Sequence, residues 1–139
     1  MAAAGADHEQ RLAAQGIRKG LGAYYTPPDV VGGLLDLALA PILAARSRGG
    51  VEAVAATRVL DPACGTGNVL VAAVERIAGA LRELGLDPVD ADRRAVRCVR
   101  GIELDGGTAR VCRANLRAIH ADGGGRSIVR GDALLDPGL

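Results

Sequence analysis

The sequence predicts an α/β fold, one half of a doubly wound sheet with about three parallel strands and flanking helices. Three observations carry this. Apolar residues make up 49% and charged residues 24% of the 139-residue chain, a globular composition with room for one domain of ordinary size. From Arg58 onward, short apolar runs alternate with helical periodicity in the order strand, helix, strand, helix, strand. Each predicted strand then runs into a carboxylate: Asp61, Glu103 and Asp132.

Taken in order, residues 1–20 are rich in alanine and charge and read as a loose N-terminal arm, with the domain proper at 21–139. Thr26-Pro27-Pro28-Asp29 predicts a helix start, with Thr26 as cap, Pro27 at the first helical position and Asp29 at the positive helix end. Val30, Val31, Leu34, Leu35, Ala38 and Ile42 follow on one face, and Pro41 should kink or end this helix. Gly49-Gly50 predicts a loop, and Arg58-Val59-Leu60 the first strand. A long helix from Asn68 places Val69, Leu70, Ala73, Ile77, Leu81 and Leu84 inward and stops at Gly85. Residues 86–94 read as polar and turn-like, and the second strand as Val96 to Glu103. A helix over Thr108 to His120 turns Val111, Cys112, Leu116 and Ile119 inward and Arg110, Arg113 and Arg117 outward. Glycines 123–125 end it, and Ser127 to Arg130 forms the third strand.

Composition excludes several classes. Seventeen basic residues against sixteen acidic ones give a net charge of +1, which argues against a strongly basic nucleic-acid clamp and leaves room for a local basic patch. Lys19 is the one lysine, a bias that reads as a GC-rich coding sequence rather than a function. With no Phe, no Trp and two tyrosines, Tyr24 and Tyr25, the chain cannot assemble a pocket that stacks bases on several rings. Cys64, Cys98 and Cys112 are odd in number and lack paired short spacing, which argues against a disulfide scaffold or zinc site. No signal-peptide core or uncharged stretch near the roughly 18 residues of a membrane span occurs, so a reduced, cytoplasmic protein is expected.

The three carboxylates define the chemistry. Ligands of open parallel sheets bind outside the carboxyl ends of the strands, so Asp61, Glu103 and Asp132 are expected around one crevice. Carboxylates repel phosphates but accept hydrogen bonds from ribose hydroxyls, amines and base amino groups. Gly65-Thr66-Gly67 leads into a helix whose exposed N–H groups favour an anion such as a carboxylate. A ligand with a ribose diol, an amino group and a carboxylate fits better than a dinucleotide or a triphosphate. The phosphate-loop lysine is missing, and Leu70 stands where the dinucleotide fingerprint needs its third glycine.

Asp61-Pro62-Ala63-Cys64-Gly65-Thr66-Gly67, followed by Asn68-Val69-Leu70, resembles the S-adenosyl-L-methionine motif of DNA adenine amino-methyltransferases of restriction–modification systems. Gly22-Ala23-Tyr24-Tyr25-Thr26-Pro27 resembles that family's other cofactor motif. Gly101-Ile102-Glu103-Leu104-Asp105 and Gly131-Asp132-Ala133-Leu134 match its next two in order. The resemblance covers roughly residues 20–136 and implies a partial Rossmann-like methyltransferase sheet. It also implies roles. Tyr25, Thr26 and Pro27 lie at the methionine end of the cofactor with Asp61, Ala63, Cys64, Gly65, Gly67 and Asn68. Glu103 takes the ribose hydroxyls, and Leu104 lies against the adenine. Asp132 accepts from the adenine amino group, with Ala133 beside it. The function implied is methylation of the exocyclic amino group of adenine.

Two departures stand out. The family carries Pro where Gly106 or Gly107 stands. Its catalytic Asn/Asp-Pro-Pro-Tyr/Phe motif, which would hold the flipped base, is not among these residues, so no catalytic residue is assigned. The chain is therefore expected to be the cofactor-binding, N-terminal half of the domain, inactive alone, with the first strand at an open edge. DNA would be met through other regions, and a downstream catalytic and target-recognition polypeptide is the expected partner. The alternatives are a methyltransferase acting on RNA or protein glutamine, and a non-catalytic remnant or binding module.

Plainer readings compete at single residues. Cys64 reads as a small packing residue rather than a nucleophile, since no histidine stands nearby in the motif. His8 lies in the arm and His120 at a helix end, and neither reads as catalytic. The Arg110, Arg113, Arg117 stripe reads as a solvated face before a phosphate contact. Asp132 reads as a cofactor ligand ahead of a turn acid, and Tyr24-Tyr25 as motif ahead of core cover.

Overall fold

The computed structural model describes residues 26–123 and 127–136, so the predicted arm and the Tyr24-Tyr25 pair lie outside the described residues. Helix α1, Pro28–Ala38, begins one residue later than Thr26-Pro27 predicts. Pro27 takes the cap position, Pro28 the first turn, and no side chain caps the helix, so Thr26 is not its cap. Pro41 lacks the N–H that a continuous helix needs, and α1 passes at Leu39 into α2, Ala40–Ser47, with a bend of 44°. Val31, Leu35, Leu39 and Leu43, four apart, form the buried ridge. Val30, Leu34 and Ile42 were expected beside them but are 57%, 48% and 46% exposed, because the apolar stripe is wider than the surface it packs on.

The loop expected at Gly49-Gly50 is a short helix, α3, Gly50–Ala55. Strand β1, Val59–Asp61, leads through the glycine loop into α4, Asn68–Glu83, whose Leu70, Ala73, Val74, Ile77, Ala78 and Leu81 are buried. Gly85, at φ +94°, ends α4: its N–H donates to the Arg82 carbonyl and that of Leu86 to the Leu81 carbonyl. The segment expected to be turn-like is instead helix α5, Pro88–Val96. Asp87 caps it through the N–H groups of Val89 and Asp90, Pro88 stands in its first turn, and Ala91, Ala95 and Val96 are buried against α4. Strand β2, Val99–Glu103, consequently starts three residues later than expected, since Val96 belongs to α5. Helix α6, Gly106–Ile119, is capped by Asp105, and β3 is Ile128–Arg130. Gly106 thus sits at the first helical position, where proline is also favoured.

The sheet is parallel, in the order β1-β2-β3, pairing Asp61 with Gly101 and Glu103 with Arg130. Right-handed crossovers advancing in one direction put both crossover helices on one face. Helices α4 and α6 accordingly touch each other and β2, over Val99, Gly101 and Ile128, all buried. The opposite face carries Leu60, Arg100, Ile102 and Val129, with Leu60 63% and Val129 40% exposed. Among the described residues the chain therefore has the three-stranded parallel sheet with flanking helices that the alternation of periods predicts. Among the described residues no single helix is long and apolar enough to cross a membrane.

Candidate functional site

At the carboxyl ends of the strands, two glycines shape the loop between β1 and α4. Gly65 (φ +55°) and Gly67 (φ +91°) adopt a backbone conformation that side chains disfavour. They differ in surroundings. A Cβ on Gly65 would meet nothing within 4 Å, whereas one on Gly67 would lie 2.5 Å from Cys112 Sγ. Gly101 in β2 is crowded in the same way, its Cβ position falling 2.7 Å from Cys64 Sγ and 2.8 Å from Leu70 Cδ1. The glycines thus let α6 and the loop close onto the sheet through two cysteines.

Four contacts fix this loop. The Cys64 N–H donates to the Ile102 carbonyl (3.0 Å), the Gly67 N–H to the Cys64 carbonyl (2.8 Å) and the Ala63 N–H to Asp61 Oδ1 (3.0 Å). From α6, Asn115 Nδ2 donates to the Thr66 carbonyl (2.9 Å). Glu103 links the loop to the neighbouring strand end. Its Oε2 accepts from the Gly65 N–H and its Oε1 from the Asp105 N–H, both at 2.9 Å. Each oxygen keeps a lone pair for an outside donor.

The structure brings together most of the residues singled out in the sequence. Thr26, Asp61, Ala63, Cys64, Gly65 and Asn68 line one cavity of about 40 Å³ with Thr66 and Val69, and Glu103 is tied to it through Gly65. Gly67 stands behind the loop, against Cys112. Leu104 is half exposed at the end of β2, and the Arg130 Nε donates to its carbonyl at 3.4 Å. Pro27 is exposed and does not line the cavity, and Tyr25 lies outside the described residues. Asp132 follows β3, whose end is held to β2 by the Gly131 N–H on the Glu103 carbonyl (3.1 Å). Its Oδ1 accepts from Leu134 and Leu135, at 2.9 and 3.2 Å, so Asp132 orders its own turn, and Ala133 is exposed within it. Sequence reading missed Asn115 and Cys112 as braces of the loop, since their partners lie 49 and 48 residues away.

Cys64 is a packing residue. It is buried, and its Sγ lies 3.9 Å from that of Cys112. Its hydrogen bond to Cys112 and its burial push the thiol far up from its ordinary range, the reverse of what a nucleophile needs. Arg113 does not point outward as expected: its Nε and Nη2 both donate to the Ile128 carbonyl, at 3.1 and 2.8 Å, tying α6 to β3. Arg110 and Arg117 are exposed. His120 follows α6 as its C-cap, and its Nδ1 accepts from the Asp122 N–H.

Residues 10–139 match the family described as N-6 DNA methylase. No curated protein and no solved structure matches the chain.

Proposed function

Because the chain belongs to the N-6 DNA methylase family, we propose that it supplies the S-adenosyl-L-methionine-binding part of a DNA methyltransferase acting on the exocyclic amino group of adenine. The observation that carries this reading is Glu103. Its carboxylate is held by the Gly65 and Asp105 amides with one acceptor site left on each oxygen, beside the glycine loop. A ribose diol offers two adjacent donors, which suits that pair of acceptors. The donor set therefore fits the cofactor that the family's chemistry requires.

In this reading Thr26, Asp61, Ala63, Cys64, Gly65 and Asn68 surround the methionine end, with Pro27 on its outer side and Gly67 shaping the loop, while Tyr25 is assigned to the same end by its motif alone. The cavity of about 40 Å³ is small and is assigned to that polar end alone. The nucleoside lies over the strand ends against Glu103 and Leu104, with Asp132 and Ala133 at the base. When bound, the cofactor supplies the methyl group. The chain's own residues bind and orient it, and none is assigned to the chemical step.

The open sheet face supports a further part of the reading, that a further segment, of this polypeptide or of another, completes the fold. Leu60 and Val129 are exposed there beside half-buried Ile102, and among the described residues β1 is an edge strand. That segment lays a strand along β1, covers the face and carries the catalytic and target-recognition parts.

Calorimetric titration of S-adenosyl-L-methionine into the purified chain tests this. Weak saturable binding is expected, abolished by Glu103→Ala, while duplex DNA rich in adenine stays unmethylated. Absence of saturable binding at millimolar cofactor overturns the assignment. Methylation by these residues alone overturns the need for a further segment.

A further inference from the structure

The amino ends of the same strands carry a different feature. Arg58, just before β1, and Arg93, Arg94 and Arg97, at the end of α5 and before β2, line an open groove of about 300 Å³ with Ala55 as its one other lining residue. Three of these guanidinium groups are tethered at the rim: Arg93 to Asp90, Arg94 to Glu52 at 2.5 Å, and Arg97 to Asp122 at 2.6 Å. The Arg58 Nη1 donates to the Ala55 and Thr57 carbonyls, at 3.0 and 2.7 Å, which leaves its charge unmatched by any ion pair among the described residues. Arg46 and Arg100 stand close by and likewise donate to backbone carbonyls. Burial pushes the Cys98 thiol up, and Arg58, Arg100 and Arg46, which lie around it, pull it back. Six arginines against Glu52, Asp87, Asp90 and Asp122 still give this end a positive excess in a chain whose net charge is only +1.

Arg93 and Arg94 also suit the negative end of the α5 dipole, which explains those two without a ligand. It does not explain Arg58, which belongs to another element and faces the same groove. Guanidinium forks from two elements, oriented in advance by carboxylates and carbonyls, match the oxygens of a tetrahedral anion. We propose that this groove binds phosphate, as a phosphodiester of a nucleic-acid backbone or as a free polyphosphate. The site lies at the sheet end opposite the glycine loop, so it stands independently of the cofactor reading.

Two probes separate the sources: a fluorescein-labelled DNA duplex followed by anisotropy across a salt series, and sodium triphosphate followed by thermal shift. Arg58→Gln and Arg97→Gln are expected to weaken duplex binding roughly 3- to 10-fold and to lower the slope of log K against log salt by about one each. Arg58→Lys should restore much of the affinity, and Arg117→Gln on the exposed face of α6 should change little. Binding of triphosphate alone, lost in Arg58→Gln, assigns the groove to free phosphate compounds. The proposal is overturned by failure of the wild-type chain to bind either probe at about 50 mM salt, or by an equal loss in Arg117→Gln. Far-UV circular dichroism confirms that each variant is folded. A variant that unfolds is replaced by Arg93→Gln, read in the same way.

Discussion

The two ends of one three-stranded sheet are built on opposite principles. At the carboxyl end the chain uses backbone. Glycines bring α6 and the loop within side-chain contact of the sheet; the carboxylates of Asp61 and Asp132 accept amides from their own turns, and that of Glu103 from its own turn and from Gly65 in the glycine loop. At the amino end it uses side chains, with long arginines tethered to carboxylates and carbonyls around an open groove. A close backbone fit makes the first end intolerant of added atoms at Gly67 and Gly101. Tethered surface cations leave the second open and salt-sensitive. The contrast places the steric information of the fold where the family's motif lies, and its positive charge at the far side.

The sharpest break of that contrast is Gly67→Ala. Both the φ of +91° and the Cβ position 2.5 Å from Cys112 Sγ oppose it, so a loss of about 2–6 kcal/mol is expected in denaturant melts. Gly65→Ala meets open space and bears only the cost of its conformation, about 1–2 kcal/mol. Adding Cys112→Ala should recover part of the Gly67→Ala loss and none of the Gly65→Ala loss. Equal losses at the two glycines, with no recovery, would remove the case for a sterically closed loop.

Glu103→Ala comes next. It leaves the Gly65 and Asp105 amides without the carboxylate that holds them, and an expected loss of about 1–3 kcal/mol follows from the hydrogen bonds to a charged group. Amide exchange should quicken at Gly65 and Asp105 and stay unchanged in α5. Uniform quickening across the chain would mean that Glu103 supports the whole fold rather than the loop.

Much of this architecture is legible in the sequence, for physical reasons that differ by region. The glycine loop and the strand-end carboxylates show because their spacing is local. The Schellman end of α4 shows because a glycine follows a clear apolar period. Helix α5 hides, since Asp87-Pro88 is a helix start in a segment too polar to display its short inner face of Ala91, Ala95 and Val96. The apolar stripe of α1 overstates its burial, because periodicity marks a face without saying how much of it meets a neighbour. Asn115, Cys112 and Arg113 act across the fold, on partners that only tertiary structure brings near. Asp132 follows β3, and its acceptor capacity is divided with its own turn in a way that spacing does not reveal.

The smallest effect concerns the amino end. Helix α5 carries Arg93 and Arg94 to the groove, and its start depends on Asp87, whose carboxyl is held below its ordinary value first by the Asp90 amide. A carboxyl depressed in the folded state contributes stability above its unfolded pKa and loses that contribution as pH falls through the folded value. Asn caps about as well as Asp but does not titrate. The melting temperature of the wild type minus that of Asp87→Asn should therefore be slightly positive near pH ~6 and shrink toward zero by pH ~2.5. A difference that stays constant across this range would show that the cap acts through its shape alone, and that α5 presents its arginines without help from the charge at its start.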